Sequence, residues 1–309
     1  MNLTFYRRLR PLALVAGLIL TAGVFGQAPH ASVQPRKCLL WKAVSGDNVV
    51  YLLGSIHLGS KKMYPLAKPI EDAFARAKVL VVEVDISKVD MTEAMTFIHE
   101  KGMYSDDDTL WKHISPETAD KVRKFCTKYD MDASMFGMFK PWVAAVELEA
   151  LPMQKAGMNL NLGIDKYFLD RAPSSKPPKR IEQLETAEFQ LNLLSSMPES
   201  LSDEFLSNSL GESSQAVKDD TKLEKLWIDG DAEALNAALP KSPPHLAKIM
   251  RALREDRNPH MADVAEKYLK SGGPCFFVVG AAHLIGDEGV IALLKKRGYS
   301  VFQVPATAP

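Results

Sequence analysis

The chain has 309 residues, 46% of them hydrophobic and 25% charged, the composition of a folded globular protein with length for one large domain or two modest ones. Its 38 Lys and Arg residues are balanced by 38 Asp and Glu. That balance leaves no basic footprint, and nucleic-acid binding is set aside.

The N-terminus reads as a targeting segment. Arg7, Arg8 and Arg10 precede an apolar run from Leu12 to Phe25, and Val24-Phe25-Gly26 offers a small-residue cleavage site before Gln27. The run is shorter than the ~20 residues that span a bilayer, so residues 1–26 are expected to be a cleaved signal peptide. No Cys follows the run directly, which disfavours a lipoprotein. No later stretch is long and apolar enough to cross a membrane, so the expected location is the periplasm or the exterior, with no stable membrane span after cleavage. Residues 27–37 read as a linker and 305–309 as a tail.

Cys38 to Ala43 and Val49 to Leu53 flank the turn-rich Ser45-Gly46-Asp47-Asn48, which predicts a β-hairpin. A helix is expected over Pro65 to Lys78, with Leu66, Ile70, Ala73, Phe74 and Ala77 at helical spacing, then a buried strand over Val79 to Val84. This β-α-β order predicts a parallel pair with a right-handed crossover. From about 91 to 270 the pattern is helical: Met91–Lys101, Pro116–Tyr129, Pro141–Lys155, Ile164–Arg171, Thr186–Ser195, Ser213–Ile228, Ala232–Ala238, His245–Arg254 and Pro259–Ser271. One strand-like piece, Arg180 to Leu184, interrupts it. Met131, Met135 and Met138 suggest a ligand groove or, more commonly, flexible core filling. The end returns to α/β, with a strand over Pro274–Val279, a helix over Ile285–Arg297, Gly298 as its C-cap, and a strand over Tyr299–Val304. The expected fold is therefore α/β: a single domain over 38–304 in which a split mixed sheet is formed by the N- and C-terminal parts, with a large helical insertion between them.

Two of the strand-like runs end alike. Val49 to Leu53 leads into Gly54-Ser55-Ile56-His57-Leu58, and Phe276 to Val279 leads into Gly280-Ala281-Ala282-His283-Leu284. Chance alone supplies roughly 0.4 Gly-x-x-His matches in such a chain, so the pair is informative only with its context of strand before and helix after. Ligands of open α/β sheets bind beyond the carboxyl ends of the strands. Neighbouring strands would bring His57 and His283 into one crevice, while Gly54 and Gly280 would allow sharp turns or close approach. The plain alternative is two unrelated strand-end histidines.

Glu83 follows four apolar residues, where a carboxylate is expensive to bury without a partner. It is either solvated, paired with a cation, or set beside the histidines. Two His and one Glu form a known catalytic metal set with an open position, and Glu83 could equally serve as general base. Among the other candidates, Asp165 reads by default as a helix N-cap, Thr186 caps the next helix, and His260 is a minor candidate. His30, His99, His113 and His245 carry less signal. The runs Lys218-Asp219-Asp220 and Arg254-Glu255-Asp256-Arg257 read as solvated faces. Three cysteines in an exported chain allow one disulfide, and Cys38–Cys275 would serve if their strands adjoin, with Cys126 left over. No Gly-x-Ser-x-Gly elbow, P-loop or dinucleotide fingerprint is present.

These residues resemble the TraB/GumN family, which also includes PrgY-type and Tiki proteins. The match runs through Leu40-Trp41-Lys42, Leu52 to His57, Leu80 to Glu83, Gly163-Ile164-Asp165, Leu184-Glu185-Thr186, Arg257-Asn258, Val278 to Leu284 and Gly298 to Val301. The resemblance implies that the paired Gly-x-x-His motifs and Glu83 are the active-site set, with manganese or cobalt as the ion. The expectation drawn here is that His57, His283 and Glu83 bind a divalent metal (Mn, Co or Zn) or activate water, with Arg257 stabilising developing negative charge. Tiki-type members are regarded as metal-dependent proteases of exported peptides; other members limit peptide pheromone signalling, and GumN-like ones occur in polysaccharide contexts. Ser55 stands where Thr is frequent. The expected function is an exported divalent-metal-dependent hydrolase acting on peptide or protein substrates. The alternatives are a non-catalytic periplasmic protein that sequesters a ligand, and an envelope polysaccharide assembly factor. Expression in a Gram-negative host followed by intact-mass measurement should give a mature chain beginning near Gln27; retention of Met1 would refute the signal peptide.

Overall fold

The computed structural model describes residues 37–210, 222–239 and 244–306. The signal segment, most of the linker with His30, the first part of the helix expected over Ser213–Ile228, the run Lys218-Asp219-Asp220, the side chain of His245 and residues 307–309 lie outside the described residues.

One mixed sheet organises the chain. Its strands are β1 Lys37–Ser45, β2 Asn48–Ser55, β3 Val79–Val82, β4 Arg180–Gln183, β5 Cys275–Gly280 and β6 Ser300–Pro305, in the order β4-β3-β5-β2-β1-β6. The β1–β2 hairpin turns at Gly46, whose φ of +55° suits glycine. β2, β3 and β4 all run parallel within the sheet through β5, and β1 is antiparallel to both β2 and β6. The expected pairing of β2 with β3 needs correction, because β5 lies between them. All six residues of β5 are buried, and a continuous apolar run of this kind belongs in the middle of a parallel sheet covered on both faces. N- and C-terminal parts thus interleave as expected, while β4, from the insertion, adds an edge.

The helices follow their sequence patterns with shifted ends. α1 is Lys68–Arg76, starting only after the extended Ala67. The insertion holds α2 Met91–Gly102, α3 Pro116–Lys128, α4 Pro141–Lys155, α5 Ile164–Arg171, α6 Ala187–Ser195 and α7 Glu199–Ser209. Residues 222–229 are helical, and α8 Ala232–Ala238, α9 Ala247–Leu253 and α10 Asn258–Ser271 follow. α7 escaped the sequence reading because its buried face, Ser202, Phe205, Leu206 and Ser209, is half serine. The spacing is nevertheless helical, and α7 packs on α4. After β5 come α11 Ala281–Leu284 and α12 Val290–Lys296. The single helix expected over 285–297 starts late because Gly286 takes φ +83°. Gly298, at φ +90°, ends α12 as expected, its N–H donating to the Lys295 carbonyl at 2.9 Å.

Among the described residues there are two main apolar cores. One lies on the sheet and takes in β1, β2, β3, β5, α1, α5 and α10. The other lies within the insertion, among α3, α4, α6 and α7, and Met131, Met135 and Met138 pack against it as partly buried core filling. Among the described residues no helix is long and apolar enough to cross a membrane.

The three cysteines are buried and free. β2 separates β1 from β5, and the registers place Cys275 opposite Val50 while Cys38 lies beyond Leu40, the partner of Leu53. The two sulfurs therefore belong to opposite ends of non-adjacent strands, too far apart for a disulfide. Burial pushes the Cys38 and Cys126 thiols up to about 11. Native protein should resist a thiol reagent at neutral pH, while denatured, unreduced protein should titrate all three cysteines. Loss of two thiols from that titration would show a disulfide.

Candidate active site

The two Gly-x-x-His motifs meet at the carboxyl ends of adjacent parallel strands. Gly54 pairs with Val279 and Ser55 with Gly280. Gly54 lies tight against the second motif: a Cβ there would stand 3.0 Å from the Cα and Cβ of Ala281. Its carbonyl accepts from Trp227 Nε1 at 2.7 Å, pinning the strand end to the helical segment 222–229. Gly280 contributes its N–H, which donates to Glu83 Oε2 at 3.2 Å.

Glu83, just past β3, is 3% exposed. Besides Gly280 it is held by Gln190 Nε2, which donates to Oε1 at 2.8 Å, and by an ion pair between Oε1 and Arg257 Nη2. Burial would raise the Glu83 pKa, but Arg257, followed by the two histidines, outweighs it and keeps the carboxyl well below the usual carboxylate range. Arg257 is itself 4% exposed, so the solvated-face expectation for its charge run fails at this residue, while Asp256 in the same run is exposed. Its Nε donates to Glu185 Oε1 at 2.9 Å, Nη1 to the Leu253 carbonyl at 2.7 Å, and Nη2 to both Glu83 and Glu185. Four of five N–H groups are therefore spent on fixed protein acceptors, which makes Arg257 the counter-charge of Glu83 rather than a free clamp for a reacting oxygen.

His283 opens no surface at all, with 0% exposure. Its Nδ1 lies 2.7 Å from Asn258 Oδ1, and its Nε2 lies 3.8 Å from Glu83 Oε1, beyond hydrogen-bond range. Nε2 is buried and has no hydrogen-bond partner among the described residues. Burial pushes the ring down to about 3 against the pull of Glu83, with Arg257 and His57 adding repulsion.

His57 is the more open of the pair, its side chain 20% exposed. Its Nδ1 lies 2.8 Å from Asp165 Oδ2, and Ser55 Oγ donates to Asp165 Oδ1 at 2.8 Å. Burial works to lower the His57 pKa, but Asp165 and then Glu83 carry it up to about 9. The N-cap expectation for Asp165 is overturned: Gly163 is the N-cap of α5, and the Asp165 side chain turns to His57 and Ser55. Gly163 has no room for a side chain, since a Cβ would fall 2.1 Å from the His57 carbonyl oxygen. Ile164 N–H donates to the Ile56 carbonyl at 3.1 Å, and Gly59 and Asn159 exchange a pair of backbone bonds. The motif Gly163-Ile164-Asp165 thus zips onto the first histidine loop and delivers a carboxylate to it.

The structure brings Glu83, Arg257 and His283 together, with His57 within their electrostatic reach. Asp165, Glu185, Gln190 and Asn258 complete the group. Thr186 caps α6 as expected, accepting from Phe189 N–H. His113 lies elsewhere, between Asp108 and Glu199 in the insertion, and His260 Nε2 rests 3.3 Å from the Leu184 carbonyl. Gln190 carries no signal in the sequence beyond its place in a helix.

Fold and site define an α/β protein with a histidine pair on neighbouring strand ends and a buried, charge-compensated glutamate beside it. The chain belongs to the TraB/PrgY/gumN family, whose model matches residues 39–303. The uncharacterized protein YbaP of Escherichia coli (strain K12) is 26% identical over 273 residues, covering 82% of this chain and 92% of that protein. An uncharacterized protein of Treponema pallidum (strain Nichols) is 22% identical over 280 residues, covering 86% and 82%. No solved structure matches the chain.

Replacing Arg257 with Met strands Glu83 and Glu185 as buried carboxylates, and breaking such a pair costs about 3–5 kcal/mol. Denaturant unfolding of Arg257→Met, Glu83→Gln and the double variant should show that large single loss and partial recovery in the double. A single-variant loss under about 1 kcal/mol would mean that the pair is not structural in this sense.

Proposed function

We propose that this chain is an exported, divalent-metal-dependent hydrolase acting on peptides or proteins of the cell envelope. The observation that carries the reading is the Nε2 of His283: a buried imidazole nitrogen with no partner among the described residues, facing a carboxylate at the carboxyl edge of the sheet. Buried polar atoms are rarely left unpaired, and a ligand or ion is a common reason when they are.

The donor chemistry fits a borderline divalent ion, since two imidazoles and one carboxylate are a set used by catalytic zinc and its neighbours. His283 Nε2 has no partner among the described residues. With Asp165 at His57 Nδ1, the His57 Nε2 would become a ligand by giving up the proton that a ring held up to about 9 carries at neutral pH. Glu83 has three of about four acceptor positions filled, two on Oε1 and one on Oε2, so one lone pair remains on Oε2. His57 Nε2, His283 Nε2 and Glu83 would hold the ion. Bound there, it would lower the pKa of a coordinated water towards ~7 and polarise a substrate carbonyl. The chain's own groups do the rest. Asp165 and Asn258 orient the two rings, Arg257 and Gln190 hold Glu83 in place, and the buried histidine side excludes bulk water.

A second reading is a periplasmic protein that sequesters a peptide or small ligand without turnover. It is favoured by the close engagement of Glu83 and because, among the described residues, no three His, Cys, Asp or Glu side chains stand as a ready-made metal cage. Elemental analysis of protein purified without chelator, beside a folded His57→Ala/His283→Ala variant, separates the two. Near-stoichiometric Mn, Co or Zn in the parent, lost in the variant along with hydrolysis of a peptide library, is the expected result. No metal in either protein after refilling, with peptide binding intact, would replace the hydrolase by the sequestering protein.

A further inference from the structure

Asn258 stands at the start of α10, 1% exposed, between two partners. Its Nδ2 donates to the Glu288 backbone carbonyl at 2.8 Å, and its Oδ1 lies 2.7 Å from His283 Nδ1. A carbonyl oxygen only accepts, so the Glu288 contact determines which end of the amide is NH₂. With Nδ2 committed to Glu288, Oδ1 must face His283, and an oxygen there requires a proton on Nδ1. A neutral imidazole carries one N–H, so Nε2 is left as a bare lone pair.

The reverse arrangement fails on two counts. Turning the amide over would set Oδ1 against the Glu288 carbonyl. It would also make Nδ2 the donor to His283 Nδ1, moving the ring proton to a buried Nε2. That N–H would have no acceptor, because Glu83 Oε1 is 3.8 Å away and already receives Arg257 and Gln190. A buried donor without an acceptor is strongly disfavoured. Asp165 places the other histidine in a comparable hold through Nδ1, but with a carboxylate where His283 has a neutral amide.

We infer that Asn258 is a positioning residue that locks His283 as the Nδ1–H tautomer and thereby aims an unprotonated Nε2 at Glu83. The consequence for metal affinity rests on the hydrolase reading above, whereas the tautomer itself does not. Outer partners of this kind typically contribute 10–100-fold to metal affinity.

The test is ¹⁵N NMR of the histidine rings in the full mature chain without added metal, with His283 assigned by its loss in His283→Gln. The parent should show Nδ1 protonated and Nε2 bare. Asn258→Ala should let the Nε2–H tautomer appear, whereas Asn258→Asp, which keeps an acceptor for Nδ1 but loses the donor to Glu288, should keep Nδ1–H. A purely structural role for Asn258 predicts that Ala and Asp variants behave alike, and that result overturns the inference. So does a parent with a protonated Nε2, which decides the matter even if Asn258→Ala fails to fold. Titration with Zn²⁺ then addresses the consequence: affinity should fall roughly 10–100-fold in Asn258→Ala and survive in Asn258→Asp. A parent that shows the expected tautomer and binds no Zn²⁺ leaves the positioning role standing and removes the metal reading alone.

Discussion

The buried ion pair between Glu83 and Arg257 is the constraint on which the arrangement of this protein turns. A carboxylate at the end of a fully buried strand is unaffordable without compensation, and its compensation comes from three separate parts of the chain. Arg257 arrives just ahead of α10, Gln190 from α6, and the Gly280 N–H from the end of β5. One side chain therefore joins the helical insertion to both halves of the sheet. Glu185 extends the network by binding the remaining face of the guanidinium. Pairs of this kind add little net stability over an apolar replacement, yet losing one partner is severe.

Much of the architecture was legible along the chain because burial and periodicity are local properties. The apolar runs before both histidines, the hairpin around Gly46 and the cap at Gly298 each depend on neighbours within a few residues. The adjacency of the two Gly-x-x-His strand ends was legible as well, since strand ends in an open parallel sheet share one edge. Their orienting partners were not. Ser55 and Asp165 are separated by 110 residues, and Glu83 and Gln190 by 107. No pattern in a single chain says which loop will land on which. Asp165 shows the difficulty well: an acid at the start of a helix is most simply a cap, and only the approach of Gly163 to the His57 carbonyl shows that the helix start is pressed against the first histidine loop. β5 misled in a similar way, because a strand late in the chain gives no notice that it will separate two early ones.

The two histidines look equivalent in sequence and are not equivalent in the fold. One answers to a carboxylate that itself takes a serine hydroxyl, the other to an amide tied to a backbone carbonyl. An anionic partner favours the charged ring and a neutral one does not. Burial acts in the same direction on both, so the difference between a ring held up to about 9 and one pushed down to about 3 reflects these partners as well as the surroundings. A repeated motif has thus been placed in two environments.

Depth follows the same asymmetry. His283 is sealed, Glu83 and Arg257 are nearly so, and only His57 shows a face to solvent. With the side chains as they stand, the site has a threshold and an interior. A molecule arriving from solvent meets the imidazole of His57 first, and His283 last. The doubled motif therefore presents its two rings in a fixed order, one at the surface and one in the interior.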